Sequence, residues 1–306
     1  MQITAYAPAT VANVACGFDI LGFAVEKPGD TVTVNFKKTA GVKITKIIGN
    51  KNLPLDAVKN TAGYAVIKLL EYLNEKRGIE MELHKNMPLG SGLGSSAASS
   101  VAALLAVNKI LGEPLTKEEL IPFAMEGERL ACGAAHADNV APALLGGFTL
   151  IRSYDPLDVI KIKTPKNLFS AVIHPHVEVS TEDARKILKK QITLKQAITQ
   201  WGNTAGLIAG LLQEDLGLIA RSLQDVVIEP IRSLLIPGFN EVKAAALKAG
   251  ALGCSISGSG PSIFALANSI SKAQYIAKNM ENEILKMKIK CDVFVSPINH
   301  EGAKIL

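Results

Sequence analysis

The stretch Pro88-Leu89-Gly90-Ser91-Gly92-Leu93-Gly94-Ser95-Ser96-Ala97-Ala98-Ser99 constrains this chain more than any other. Before it, Ile79, Met81 and Leu83 alternate with Glu80, Glu82 and His84, the period-two pattern of a half-buried strand. After it, Ala97, Ala98, Val101, Ala102, Leu104, Leu105 and Val107 leave no polar stripe until Asn108 and Lys109, and Gly112 stands where a buried helix would stop. The loop therefore leads from a sheet into a helix N-terminus. Three glycines at alternate positions allow φ > 0 and let backbone amides approach a ligand with no Cβ between. Free N–H groups and the positive dipole end favour an anion there, by about 0.3 to 1 kcal/mol per exposed charge. Ser91, Ser95, Ser96 and Ser99 add hydroxyls for phosphate oxygens or a metal ion. The segment reads as a phosphate cradle.

Two commoner phosphate motifs are excluded. A Walker A loop needs a lysine, and none occurs between Gly90 and Ser100. The dinucleotide fingerprint needs glycine or alanine where Ser95 stands. A plain Gly/Ser turn is the competing reading, and so dense a pattern weighs against it.

With 306 residues, 48% hydrophobic and 20% charged, the chain has globular composition and room for one large or two ordinary domains. The longest apolar run, around Val101 to Val107, is too short to span a bilayer, and no export signal opens the chain, so a cytoplasmic protein with no membrane partner is expected. Cys16, Cys132, Cys254 and Cys291 are widely spaced with no C-x-x-C, which fits reduced thiols better than disulfides or zinc. The net charge of +5 is spread, and a single Trp201 gives no stacking platform, so no nucleic-acid role is indicated. A mildly basic balance suits anionic small molecules such as ATP.

Residues 2 to 50 read as antiparallel strands, with Asn13 to Asp19 as a short polar insertion whose Asn and Asp are ordinary turn formers. Apolar spacing predicts a helix over Asp56 to Lys76, with Asn60 one turn in as a helix-surface residue. Thr116-Lys117-Glu118-Glu119 is a capping box for a helix to about Gly133, on which Glu128 falls late; a glutamate there is ordinarily solvated. Then His136, Asp138 and Asn139 crowd onto one loop, as a metal site or a satisfied turn. A hairpin starts at Gly147, and Tyr154 to Leu157 makes a soft boundary between halves at 1–155 and 156–306. Ser180 caps a helix with Thr181 and Arg185 on one face. His174 and His176, lacking further ligands, read as structural. A second capping box at Thr193 opens a helix to about Leu212, and another runs from Leu216 to Val226. Arg232, just past Pro230, is either a surface cation or, with Arg185, a fork for a carboxylate. The tail reads strand, Gly/Ser loop, strand, helix, strand, half of a ferredoxin-like sandwich.

Pro88 to Ala97 resembles the P-x-x-x-G-L-G-S-S-A loop of the superfamily of galactokinase, homoserine kinase, mevalonate kinase and phosphomevalonate kinase, the GHMP kinases. Ala7-Pro8-Ala9-Thr10-Val11-Ala12-Asn13 and Ser255-Ile256-Ser257-Gly258-Ser259-Gly260-Pro261-Ser262 match its other two signatures, so the similarity spans the chain. His136-x-Asp138-Asn139-Val140-x-Pro142-Ala143 is similar to the homoserine kinase branch in particular. The resemblance implies an α+β fold of two domains, an N-terminal half like domain 2 of ribosomal protein S5 and a ferredoxin-like C-terminal half. It implies ATP as phosphoryl donor, bound by Pro88 to Ala98 with Asn60, and Mg²⁺ on Ser96 and Glu128, with Glu126 the nearest rival. It implies L-homoserine as acceptor, giving O-phosphohomoserine for threonine synthesis, in a pocket of Asn13, Asp19, His136, Asp138, Thr181, Arg185 and Arg232, closed by Gly258 and Ser259.

Some relatives take the hydroxyl proton with an aspartate. If Asn139 holds that position here, an amide cannot be a base, Asp138 is left for the substrate ammonium, and transfer relies on alignment. The alternatives are a superfamily kinase for mevalonate, shikimate or another small alcohol, or an ATP-binding regulator of the same fold without turnover. A homodimer is left open.

Overall fold

The structure is a computed structural model that describes residues 2–49, 52–88, 90–133 and 135–306, with the side chains of Cys132 and Thr181 excepted. It opens with β1 (Gln2–Ala12), β2 (Leu21–Lys37) and β3 (Val42–Ile48), followed by α1 (Thr61–Tyr72) and β4 (Gly78–His84). Ile79, Met81 and Leu83 are buried and Glu80, Glu82 and His84 are not, so β4 is the half-buried strand its alternation predicts. Helix α1 begins later than its apolar spacing implies. Asn60 is its N-cap, its side chain accepting from the N–H groups of Ala62 and Gly63, and is buried instead of lying on a helix surface.

Helix α2 (Ser95–Ile110) leaves the glycine loop, with every residue except Ser96 and Lys109 buried. It is covered by α1 and by α3 (Lys117–Cys132), which begins at the Thr116 capping box and ends at Gly133 with φ 76°. The loop read after Gly133 is shorter than its composition implies, because α4 (Val140–Leu145) starts directly after Asn139. Strands β5 (Phe148–Tyr154) and β6 (Leu157–Ile162) form a hairpin, and the 155/156 division falls in its turn. The first sheet runs β1, β2, β4, β3 in space, antiparallel among the described residues except for β3, which pairs parallel with β4 against the antiparallel expectation, and β5 pairs with β2 beside β6.

Next come β7 (Phe169–Pro175), α5 (Thr181–Lys186), α6 (Leu194–Gln213) and α7 (Leu216–Ser222). Helix α7 stops short of Val226 because Asp225 folds back, its carboxylate accepting from the N–H groups of Val227, Ile228 and Glu229. That turn begins α8 (Glu229–Arg232), and α9 (Phe239–Lys248) precedes β8 (Gly253–Ile256), β9 (Ile263–Ala267), α10 (Ile270–Lys286) and β10 (Cys291–Pro297). The second sheet is antiparallel in the order β10-β7-β9-β8, with α9 and α10 packed on it, the expected α+β sandwich. The chain ends with β11 (Lys304–Ile305) pairing back onto β1.

Phe23 of β2 joins the two sheets. Its ring stacks on Phe148 at 4.7 Å and meets Phe264 of β9 edge-on at 5.7 Å, all three fully buried. No helix among the described residues is long and apolar enough to cross a membrane.

Candidate active site

Between the two sheets' loops opens a cavity of about 800 Å³. The glycine loop forms one end. Gly90, Gly92 and Gly94 have φ of 63°, 76° and 67°, the left-handed region that glycine occupies freely. A Cβ on Gly92 would stand 2.3 Å from the Ser257 carbonyl oxygen, and one on Gly94 2.2 Å from Thr10 Oγ1, while Gly90 faces open space. The loop is gripped on both sides. The Thr10 N–H donates to the Leu93 carbonyl at 3.0 Å, and the Ser257 hydroxyl donates to the Gly92 carbonyl at 2.6 Å. The Gly258 N–H donates to Ala12 at 3.0 Å, so the two other signature segments, near Thr10 and Ser257, brace the first.

Ser91, Gly92, Gly94, Ser95 and Ser96 line the cavity with Gly90, whereas Leu93, Ala97 and Ala98 are core residues beneath it. Pro88 and Asn60 stand outside the lining, and Leu89 lies outside the described residues. The Ser91 and Ser95 hydroxyls are buried with no hydrogen-bond partner among the described residues. Buried hydroxyls are normally paired, so two such groups at a helix N-terminus fit an oxyanion ligand. Below the loop lies a lysine that sequence reading missed. Lys85 is buried, paired with Asp30 and the Ser99 hydroxyl, and donates to the Ser95 carbonyl at 2.7 Å, tying down the first turn of α2.

Glu128 is buried and faces the cavity, held by the Ser96 hydroxyl. Burial raises its pKa, opposed by that hydrogen bond and by Lys85. Glu126 is half-exposed and paired with Arg129 at 3.3 Å, away from the cavity. A buried carboxylate and a hydroxyl are hard oxygen donors in the number that Mg²⁺ takes from protein beside phosphates, so the Glu128 and Ser96 pair fits that ion.

The other end is made of side chains from separate elements. In the turn between β1 and β2, Asn13 and Asp19 both have positive φ, 54° and 59°. Asn13 Oδ1 accepts from the Asp19 N–H at 2.8 Å, and its Nδ2 donates to the Gly258 carbonyl at 3.0 Å. Arg185 of α5 forks onto Asp19 with bonds of 3.0 and 2.9 Å. Thus Asp19, one of the expected partners of a substrate, is the present partner of an expected carboxylate arginine. Arg232 is 2% exposed, not a surface cation; its Nε donates to the Ala184 carbonyl at 3.0 Å and Nη1 to Gly258 at 3.2 Å. Burial, and then the neighbouring Arg185, hold its pKa down at about 10.

Asp138 is 3% exposed. Burial first, then the charges of Asp19 and Glu128, push its pKa up to about 7. His136 Nδ1 stands 3.7 Å from Asp19, and burial lowers the imidazole's pKa, opposed by the Asp19 charge. The Tyr154 hydroxyl donates to the Asp19 carbonyl at 2.7 Å, and its ring meets His136 edge-on. Asn139 sits between the two ends, and its Oδ1 accepts from the Thr10 hydroxyl at 2.7 Å. Ser259 and Gly258 also line the cavity, with Ala131, Gly133, Ser180 and Glu182, which sequence reading did not single out as site residues, while the Thr181 side chain lies outside the described residues. His174 and His176 are elsewhere, bonded to Ser262 at 3.2 Å and Asp292 at 3.0 Å, and no group of three metal-ligating side chains exists among the described residues.

Comparison with known proteins gives a consistent result. Residues 59–147 match the GHMP kinases N-terminal domain and residues 207–285 the GHMP kinases C-terminal domain. The chain is 56% identical to the homoserine kinase of Chloroherpeton thalassium, over 100% of this chain and 99% of that one. It is 54% identical to that of Chlorobaculum tepidum, over 99% and 98%. The crystal structure of homoserine kinase from Cytophaga hutchinsonii superposes with a TM-score of 0.97 at 59% identity, over 100% of this chain and 97% of that one.

Proposed function

The chain belongs to the GHMP kinases, among the homoserine kinases, and from that premise we propose that it transfers the γ-phosphoryl group of ATP to the side-chain hydroxyl of L-homoserine, giving O-phospho-L-homoserine. One observation carries the choice of acceptor. A single cavity that also contains the glycine loop is lined by Asp19 and Asp138 and by two guanidiniums, Arg185 and Arg232, in addition to Glu128 and Glu182. Such a set pairs both charges of a zwitterion, which mevalonate and shikimate are not.

In this reading the amides of Gly90 to Ser96 and the hydroxyls of Ser91 and Ser95 receive the ATP phosphates. Lys85 keeps that turn in place through the Ser95 carbonyl. Glu128 and the Ser96 hydroxyl hold Mg²⁺, which when bound neutralises phosphate charge and orients the transferring group. Arg232 and Arg185 take the substrate carboxylate, the bidentate geometry for which guanidinium is suited. Asp138, with Asp19, takes the ammonium, and Asn13, His136, Ser180 and Glu182 line the same cavity. Thr10 occupies the Asn139 carbonyl oxygen, which leaves the Asn139 amide N–H groups to donate toward the phosphoryl and hydroxyl oxygens. No side chain is assigned as general base; alignment and charge stabilisation carry a loose transition state.

The working division at 155/156 assigns nucleotide binding to the first half and the arginines to the second. The setting is the cytoplasm, with small molecules as partners. A coupled assay of ADP release over L-homoserine, mevalonate and shikimate tests the reading, with turnover expected for L-homoserine alone. Turnover of mevalonate without L-homoserine overturns it.

A further inference from the structure

Phe18 belongs to none of the sets named so far. It is half-buried in the turn between Asn13 and Asp19, and its ring is the common neighbour of both arginines. The Arg185 and Arg232 Cζ atoms lie 5.5 and 4.8 Å from the ring centroid, inside the range of about 6 Å over which a guanidinium is attracted to an aromatic face. The two cations disfavour each other, and Arg185 contributes to the lowered pKa of Arg232. They come from different elements, α5 and α8, linked by the Arg232 Nε bond to the Ala184 carbonyl beside Arg185, while Asp19 holds the Arg185 guanidinium. What they share is this ring. Its place is fixed independently by the Asn13–Asp19 and Asn13–Gly258 hydrogen bonds on either side of the turn.

Resting on the reading of the cavity as an amino-acid site, we propose that Phe18 is a positioning residue whose ring holds the Arg185 and Arg232 guanidiniums together, preorganised for one substrate carboxylate. It touches no reacting atom, so its effect falls on acceptor binding. Phe18 also borders a second, mostly apolar cavity of about 450 Å³ with Ile20, Trp201 and Val227, which gives space for a larger aromatic ring at this position.

Steady-state kinetics of Phe18→Leu and Phe18→Tyr, with L-homoserine and ATP varied separately, test this. Phe18→Leu keeps an apolar side chain and removes the aromatic face; KM for L-homoserine should rise about tenfold while kcat and KM for ATP stay near wild type. Phe18→Tyr should restore KM. An unchanged KM for L-homoserine in Phe18→Leu overturns the proposal, as does a Tyr variant impaired as badly as Leu. A Leu variant that fails to fold makes Phe18 a structural residue and overturns it equally. Wild-type protein that ignores L-homoserine instead overturns the functional reading, which separates the two failures.

Discussion

At the proposed phosphate end of the cavity, the lining is mostly backbone: three left-handed glycines, a helix N-terminus and two serine hydroxyls, all within Gly90 to Ser96. At the proposed acceptor end it is charged side chains that reach in, Asp19 from a turn, Asp138 from the approach to α4, Arg185 from α5 and Arg232 from α8. The first end is local in sequence and has no room for a Cβ at Gly92 or Gly94; the second is assembled by the fold and depends on pairing of charge. The difference teaches where each kind of change should be felt, on ATP at one end and on the amino acid at the other.

The largest expected effect is at Gly94. Gly94→Ala puts a methyl group against Thr10 and Asn139 at a φ of 67°, and displacement of the loop should lower turnover about 10²-fold or more. Rates across ATP and L-homoserine concentrations check this, and a near-wild-type Gly94→Ala breaks the backbone half of the comparison. At the same end, Glu128→Gln should cut Mg²⁺-dependent turnover by a similar order, whereas Glu126→Gln, at an exposed pair, should be near neutral. A Mg²⁺ titration of both variants ranks them, and the reverse ranking moves the metal site.

At the acceptor end, Arg232→Gln removes a buried cation and should raise KM for L-homoserine about 10- to 100-fold with KM for ATP little changed. Equal loss toward both substrates would erase the division between the ends.

The smallest effect is a pH dependence. Asp138 has its pKa raised to about 7, so it is protonated below pH 7 and offers no charge to an ammonium group. kcat/KM for L-homoserine should fall about tenfold per pH unit below that point, and Asp138→Asn should flatten this limb and raise KM. A large kcat loss in Asp138→Asn with KM unchanged would instead make Asp138 the base. The same shift has a stability sign. A carboxyl whose folded pKa exceeds its unfolded value of 3.8 favours the fold at acidic pH, and that contribution is lost as pH rises from about 4 through 7. Asp138→Asn should therefore melt higher than wild type at pH 8, with the gap closing near pH 4.

The phosphate end could be read from sequence because strand alternation, the glycine spacing and the apolar helix are all local patterns. The acceptor end could not be assembled that way. Its residues lie more than two hundred positions apart, and only similarity to a known family placed Asn13, Asp19, Asp138, Arg185 and Arg232 together. Position by position, burial decided the rest. Glu128 and Asn60 carry residue types that usually face solvent, yet one sits in the cavity wall and the other caps α1. Lys85 looks like the end of a strand, and its pairing with Asp30 depends on the β2–β4 alignment. Phe18 is one aromatic residue in a turn, and its meaning comes from two arginines more than 160 positions downstream. Helix α9 went unread for lack of a start signal, since Gly238 caps it with no side-chain bond.

On the proposed reading, the acceptor end recognises both charges of an amino acid. That recognition is tested most directly by kcat/KM for L-homoserine against two analogues, 4-hydroxybutyrate, which lacks the ammonium group, and homoserinol, which lacks the carboxylate. Each omission removes the proposed substrate partner of one buried charge, Asp138 for the ammonium or Arg232 for the carboxylate, and at roughly 1.5 to 3 kcal/mol per charged hydrogen bond each analogue should be turned over at least about tenfold less efficiently. An analogue turned over as efficiently as L-homoserine would contradict the account, and which of the two it is would show which pair, the aspartates or the arginines, has been misread.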